Sequence, residues 1–334
     1  MIQSINTPCF GRVCGKVRRY GLAALICFAV AICFQSSAVA QQSTLRWEFK
    51  TGDRFQVQQQ QQNGFVSKIG TRDRQINSDL TVYFDWNVTE VDQSGAATIN
   101  QTLTRLVINS GAPGEKLKNA IAIDIDAATI AAAEKDKKTA LPRLPGISGK
   151  VLKRIVPLVG LTWVLKMGTD GKISSIDFDK PSAAAFAKLP SDDFTKVLDP
   201  QALKPALAKG FALPARKLTA DDSWKVDDQT EFSGGKVERE TMWSVESLTD
   251  DLAKLKNSVT AKQQGEFEAN PETAAEPMNL KGYTGSGELI FDRKAKFMRS
   301  RQVETELKSR TLYRTDKIDT TMKSSTRTTV TKKE

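Results

Sequence analysis

The chain is dominated by positions that alternate between apolar and polar. Leu45, Trp47 and Phe49 alternate with Arg46, Glu48 and Lys50, and after the Gly52-Asp53 turn Phe55 and Val57 continue the alternation. A period of two predicts half-buried strands. Leu80, Val82, Phe84, Trp86 and Val88 form the clearest such run, and Asp92 to Gly95 is a turn signal before a returning strand from Ile99 to Ile108. Near Ala220 the design repeats. Asp222-Ser223-Trp224-Lys225-Val226 parallels Asp53-Arg54-Phe55-Gln56-Val57, and Trp243, Val245 and Leu248 parallel Trp86, Val88 and Val91. In both copies a two-residue step is followed by a three-residue step, which predicts a β-bulge at equivalent places. The first copy carries about twelve more residues between its aromatic landmarks, around Gln58–Gln62, so an internal duplication with a longer first hairpin is expected.

Later segments continue the strands. Gly287 to Phe291 and Phe297 to Leu307 flank a turn at Asp292–Lys296, and the threonine-rich stretch from Thr311 to Thr331 reads as an edge strand guarded by its charges. Between the two halves the period changes. Ala127 to Lys138 has helical composition, and Val151, Leu152, Ile155, Val156 and Val159 recur at helical spacing. Leu161–Leu165 and Ile173–Phe178 form a hairpin around Thr169-Asp170-Gly171. Short helices are predicted over Pro181–Leu189, Asp192–Leu198 and Pro200–Lys209. The expected fold class is β-dominated α+β, with two antiparallel meander-like halves and short helices inserted between them. The boundaries are a leader over 1–40, an N-terminal β half over 41–126, a helical middle over 127–212 with its hairpin at 161–179, and a C-terminal β half over 213–334.

The leader reads as a secretory signal. Arg12, Lys16, Arg18 and Arg19 precede the apolar run Gly21–Phe34, and Ala38-Val39-Ala40 supplies small residues for cleavage after Ala40. The apolar run is shorter than the ~20 residues of a membrane span. The mature chain is therefore expected in the periplasm or outside the cell, without a transmembrane anchor. All four cysteines (Cys9, Cys14, Cys27 and Cys33) lie in the leader, and there is no histidine. Histidine- or cysteine-based zinc sites, Ser-His-Asp and Cys-His nucleophiles and disulfides are thereby excluded from the mature chain. Losing a leader with four basic and no acidic residues lowers the formal charge from +10 to +6. Basic and acidic residues are interspersed, so no nucleic-acid patch is indicated. An anionic envelope polymer is a candidate partner.

Candidate chemistry is sparse. Ser233-Gly234-Gly235-Lys236 matches the Ser-x-x-Lys spacing but reads as a hairpin turn. Gly282, Gly285 and Gly287 lead into a strand and make no phosphate loop. Asp124 and Asp126 share a strand face without the third ligand a calcium loop supplies. No catalytic residue, metal site or cofactor is assigned. The aromatic strand positions Trp47, Phe84, Trp86, Trp224 and Trp243 are either core or the lining of an apolar-ligand cleft.

The chain resembles the exported bacterial family called domain of unknown function 6263, found in planctomycete-type bacteria. The resemblance is spread over most of the mature chain. It is carried by Leu45–Asp53, by Trp86–Asp92 with Gly95-Ala96-Ala97, by Gln101–Arg105, by Pro157–Gly160 before Met167–Ile173, and by Gly285–Asp292. The chain differs at Ala295, where relatives favour glycine. The family implies export and a β-rich fold and brings no activity or catalytic residue. The expected function is that of a non-enzymatic exported binding or envelope protein. The alternatives are a carrier of an apolar ligand in a curved-sheet cleft and a carboxylate-based hydrolase.

Overall fold

The computed structural model describes residues 43–111, 121–126, 130, 158–186, 210–232, 235–264, 279–313 and 316–334. Residues 42–334 form one compact unit. The leader, the segments 127–129, 131–157 and 187–209, and Ser233-Gly234 of the Ser-x-x-Lys match lie outside the described residues. The strands are β1 (Ser43–Thr44), β2 (Arg54–Ile69), β3 (Arg72–Val91), β4 (Ala97–Gly111), β5 (Ile121–Asp126), β6 (Thr162–Met167) and β7 (Ile173–Phe178). After helix α1 (Lys180–Phe186) come β8 (Lys217–Leu218), β9 (Ser223–Phe232), β10 (Gly235–Leu248), β11 (Leu252–Gln264), β12 (Asn279–Asp292), β13 (Phe297–Tyr313) and β14 (Asp316–Lys333). Helix α1 is capped where Asp179 Oδ1 accepts the Ser182 N–H at 2.8 Å.

The long strands join in one open antiparallel sheet, ordered β7-β6-β4-β3-β2-β14-β13-β12-β11-β10-β9, with β5 also paired to β4. Both expected halves thus share a single sheet. The threonine-rich strand β14 is not an edge strand: it pairs with β13 on one side and β2 on the other along most of its length. Its place depends on pairing between the two ends of the chain, which local composition does not encode. β-branched threonine suits a strand paired on both sides. The edges of the main path are β7 and β9.

Similar cross-strand pairs and bulges recur in β2–β3 and β9–β10. Phe55 lies opposite Trp86, and Trp224 lies opposite Trp243. Bulges fall between Val88 and Glu90 and between Val245 and Ser247. The turns that enter the two hairpins are built alike. The Lys50 N–H is held by Asp53 Oδ2 at 2.9 Å, and the Thr219 N–H by Asp222 Oδ2 at 2.8 Å. Asp53 O accepts from Val88 N at 2.9 Å, and Asp222 O from Val245 N at 2.8 Å. A further pair of bulges occupies corresponding places in the β6–β7 and β12–β13 hairpins, at Lys166/Met167 and Ile290/Phe291.

Alternation gives the sheet a front face that carries the core and a back face that is mostly solvated. Residues 45–50 have the apolar–polar alternation of a strand. Leu45, Trp47 and Phe49 are buried, but the residues lie across the front face as a strap and not within a ladder. Burying each of these side chains is worth about 1.5–3 kcal/mol. Trp47 N donates to Thr169 O in the β6–β7 turn at 2.7 Å, and Glu48 N donates to Lys296 O in the β12–β13 turn at 3.0 Å. Those turns belong to strands six positions apart in the sheet, roughly 29 Å on a flat sheet at about 4.8 Å per strand. Two consecutive N–H groups can touch both only if the sheet curls strongly toward its front face.

Candidate functional site

At the pinched end, where the strap lies, the front face is a packed aromatic plug. Trp47 stacks on Phe49 at 5.5 Å, Trp86 lies 4.8 Å from Phe211, and Phe84 meets Trp163 edge-on at 5.8 Å. Segment 211–213 is fixed there by Leu213 N donating to Asp170 O at 2.8 Å and by Trp47 Nε1 donating to Phe211 O at 3.4 Å. Gly171, at φ +75°, lets the two segments meet: a Cβ built on it would lie 2.0 Å from Phe211 O. Trp86 Nε1 donates to Oε1 of the fully buried Gln101 at 2.6 Å. Trp47, Phe84 and Trp86 are therefore interlocked core side chains with almost no exposed surface.

Trp224 and Trp243 lie apart from that plug. They stack on each other at 6.0 Å with an interplanar angle of 7° and are partly buried against the core. Arg216 lies 5.1 Å over the Trp224 ring, and Arg301 lies 5.8 Å over the Trp243 ring. Arg301 projects from β13 and Trp243 from β10, so this contact spans two intervening strands inside the curl. Burial, with the nearby Arg239 charge adding, pushes the Arg301 guanidinium down to about 10. Its Nη1 donates to Ala212 O at 3.5 Å. Arg239 forms a two-pronged ion pair with Asp228 across the β9–β10 hairpin.

Beyond these groups the same face continues with Gln59, Gln61 and Asn63 on β2, then Leu80 and Val82 on β3, Val303 and Leu307 on β13 and Met322 on β14. The aromatic positions are legible in the sequence; the arginines and Asp228 do not stand out there. A signal for them exists, because Asp228 and Arg239 occupy the same alternating phase as Trp224 and Trp243. The arrangement offers a curled wall of mixed character, in which Leu80, Val82, Val303, Leu307 and Met322 are interleaved with the amides of Gln59, Gln61 and Asn63 and the hydroxyls of Ser324, Thr326 and Thr328. Such a wall binds by dispersion and burial and orients by charge.

The back face has a different character. A groove of about 680 Å³ crosses β3, β2, β14, β13 and β12, lined by groups that include Asn77, Asp79, Glu304, Glu306 and Lys323. Lys308 and Lys323 hydrogen-bond Glu306 and hold its carboxyl below the usual range. Asp124, one of the two acids of β5, is paired bidentately with Arg105 at 2.8 and 2.6 Å. Among the described residues no three His, Cys, Asp or Glu side chains are grouped to hold a metal ion. No described helix is long and apolar enough to cross a membrane.

No protein-family model matches the chain, and a search of curated proteins finds no relative. Solved structures with distant similarity include lipovitellin, described for its lipid–protein interactions, at a TM-score of 0.43 and 9% identity. That match covers 85% of this chain and 25% of the lipovitellin chain. The translocator domain of the autotransporter NalP from Neisseria meningitidis matches at a TM-score of 0.23 and 9% identity, over 91% of this chain and 96% of that one. The COG4313 outer membrane channel from Pseudomonas putida F1 matches at 0.21 and 6%, over 86% and 98%. These scores are too low to bear on the site.

Proposed function

We propose that the mature protein is an exported, non-enzymatic envelope protein that carries an apolar ligand against the front face of its curled sheet. The observation that carries the reading is the strap: one short segment bonds two turns from strands six positions apart and plugs that end of the curl. An apolar sheet face needs a covering layer. Among the described residues the strap, segment 211–218 and the loop at Leu158–Leu161 supply it at the plugged end. Toward the other end the wall carries the apolar side chains Leu80, Val303 and Met322, only partly buried, among amide and hydroxyl groups. Trp224 and Trp243, with Arg301 above them, form the margin between plug and wall, so of the aromatic positions these two are the ones placed to touch a ligand.

The same reading takes the fold to be a duplication by translation along the sheet, with β9, β10, β11, β12 and β13 matching β2, β3, β4, β6 and β7. The matched bulges, the matched Asp53 and Asp222 turns and the two aromatic cross-strand pairs support it. Export predicts an N-terminus at Gln41 on protein recovered from its host. The binding test is a titration of the folded mature protein with a neutral polarity-sensitive fluorophore, N-phenyl-1-naphthylamine. Saturable enhancement that falls at least tenfold in affinity for Leu80→Lys or Met322→Lys, with melting unchanged, is expected. No saturable binding, or binding indifferent to both changes, contradicts the carrier reading.

A further inference from the structure

Six large apolar side chains are exposed among the described residues, and four of them, Phe65, Val66, Ile69 and Ile76, sit on the β2–β3 hairpin tip. The tip lies at the end of the sheet away from the plug, where β2 turns into β3 through Gly70-Thr71. Register places Phe65 opposite Ile76, Ser67 opposite Arg74, and Ile69 opposite Arg72, all on the front face. The described pairing of β3 with β4 begins only at Asn77, so Arg72 to Ile76 project past it. Ile76 is 49% exposed and Phe65 40%. A cluster of this kind at one corner of a molecule marks an interaction site rather than scattered surface apolarity.

Charge selects the partner. Across β3, β2, β14 and β13 the front face of this corner, back to Ser78, Asn63, Ser324 and Thr305, presents Arg72 and Arg74 among apolar and hydroxyl side chains. It carries no carboxylate from Ile318 inward on β14, and the one acid that register places on this face, Asp316, stands at the outer end of that strand. The acids of the same stretch, Asp73, Asp79, Asp319, Glu304 and Glu306, all fall on the back face by register, where Asp319 is taken up by Arg310 and Glu306 by Lys308 and Lys323. The back face thus holds acids together with basic partners of its own, while the front face of the corner, inward of Ile318, has Arg72 and Arg74 among apolar side chains with no acid beside them. That is the combination an anionic lipid surface recognises: the apolar groups enter the acyl boundary and the guanidinium groups meet phosphate. A protein partner with a flat apolar surface gains nothing from Arg72 and Arg74.

We propose that the β2–β3 hairpin tip is a membrane-docking element for bilayers containing anionic lipid, seating Phe65, Ile69 and Ile76 in the interface with Arg72 and Arg74 on the headgroups. The inference stands on the tip alone and does not require the carrier reading. A protein that docks on vesicles but holds no ligand keeps the first and loses the second.

The test is co-flotation of the mature chain with vesicles of phosphatidylcholine alone and of phosphatidylcholine with phosphatidylglycerol. Partitioning onto the anionic vesicles is expected, weakening as salt is raised. Phe65→Ser combined with Ile76→Thr is expected to lower the partition coefficient about tenfold or more, and Arg72→Gln combined with Arg74→Gln to remove the preference for phosphatidylglycerol. Both pairs are exposed, so circular dichroism melting should match the parent. A Phe65→Trp probe, which leaves the tip apolar, should shift its emission to the blue on anionic vesicles and be quenched by brominated acyl chains. No partitioning by the parent chain overturns the proposal, as does partitioning unchanged in both variants. It is equally overturned if the Phe65→Ser, Ile76→Thr protein instead loses a dimer seen by sedimentation, because the tip is then a protein contact.

Discussion

Replacing Gly171 with alanine tests how the strap, segment 211–213 and the β6–β7 turn are held together. Gly171 sits at φ +75°, and a Cβ there would lie 2.0 Å from Phe211 O and 2.8 Å from Trp47 Nε1. The left-handed backbone costs a non-glycine residue roughly 1–2 kcal/mol. The collision cannot be relieved by a side-chain rotation, because the nearest atom is a carbonyl oxygen of the main chain. Phe211 must withdraw by about 1 Å or more to reach ordinary contact, which adds about 1–3 kcal/mol of overpacking. Withdrawal also breaks the buried bond from Trp47 Nε1 to Phe211 O, worth about 1 kcal/mol. A loss of about 3–6 kcal/mol follows, read from the urea midpoint. At a slope of about 3 kcal/mol per molar this moves the midpoint by about 1 M or more. Gly70→Ala is the control: Gly70 is also left-handed, at φ +59°, but nothing lies within 4 Å of a Cβ at that position, so it should lose only the backbone part. If the two variants unfold together, the close approach of Phe211 and Trp47 does not hold the plug and the reasoning fails.

Asp292 is nearly buried in the β12–β13 turn. Burial works to raise its carboxyl, but the Ala295 N–H at 2.7 Å and Arg299 at 2.5–2.9 Å outweigh it and hold the group below the usual carboxylate range. A lowered folded value gives stability that is present above about pH 4, where an unfolded aspartate is ionised, and is lost as pH falls through the lower folded value. Asp292→Asn should cost about 1–3 kcal/mol at pH 7 and flatten that acid-side decline; parallel pH curves for parent and variant would refute the role. Trp86→Phe deletes the partner of Gln101 Oε1, whose Nε2 already has no partner among the described residues. Its cost should be about 2–4 kcal/mol, and adding Gln101→Leu should recover part of it, because an apolar pair leaves no orphaned amide; additive losses in the double variant would count against the bond.

The hairpins are legible because their information is local. The two-then-three spacing at Trp86, Val88 and Val91, and again at Trp243, Val245 and Leu248, marks bulges that the structure contains. The β6–β7 hairpin and its glycine turn are equally plain. What sequence misses depends on contacts between distant segments. Leu45–Phe49 has the alternation of a strand, yet the side chains that alternate inward do so as a strap, because the turns at Thr169 and Lys296 capture its N–H groups. The Thr311–Thr331 stretch has few large apolar residues and reads as an edge, but pairing with β2 places it mid-sheet. In the β12–β13 turn the left-handed residue is Lys296 and not the neighbouring Ala295. Among the candidate site residues, composition names the aromatics but does not say which are interlocked. Trp47, Phe84 and Trp86 are sealed in the plug, while Trp224 and Trp243 stand at its margin under Arg216 and Arg301. The apolar and cationic corner at Phe65–Ile76 escapes notice because its face segregation emerges only when β2, β3, β13 and β14 are set in register.

The central claim is that the curled front face carries an apolar ligand beyond its plugged end. Native mass spectrometry of mature protein gently purified from its host tests this most directly, with organic extraction and identification of whatever travels with it. The account predicts one co-purifying apolar molecule per chain, reduced in the Leu80→Lys and Met322→Lys proteins and in a Trp243→Ala protein that stays folded. A ligand-free chain at the mass of residues 41–334, from preparations whose fold and N-terminus are intact, would contradict it.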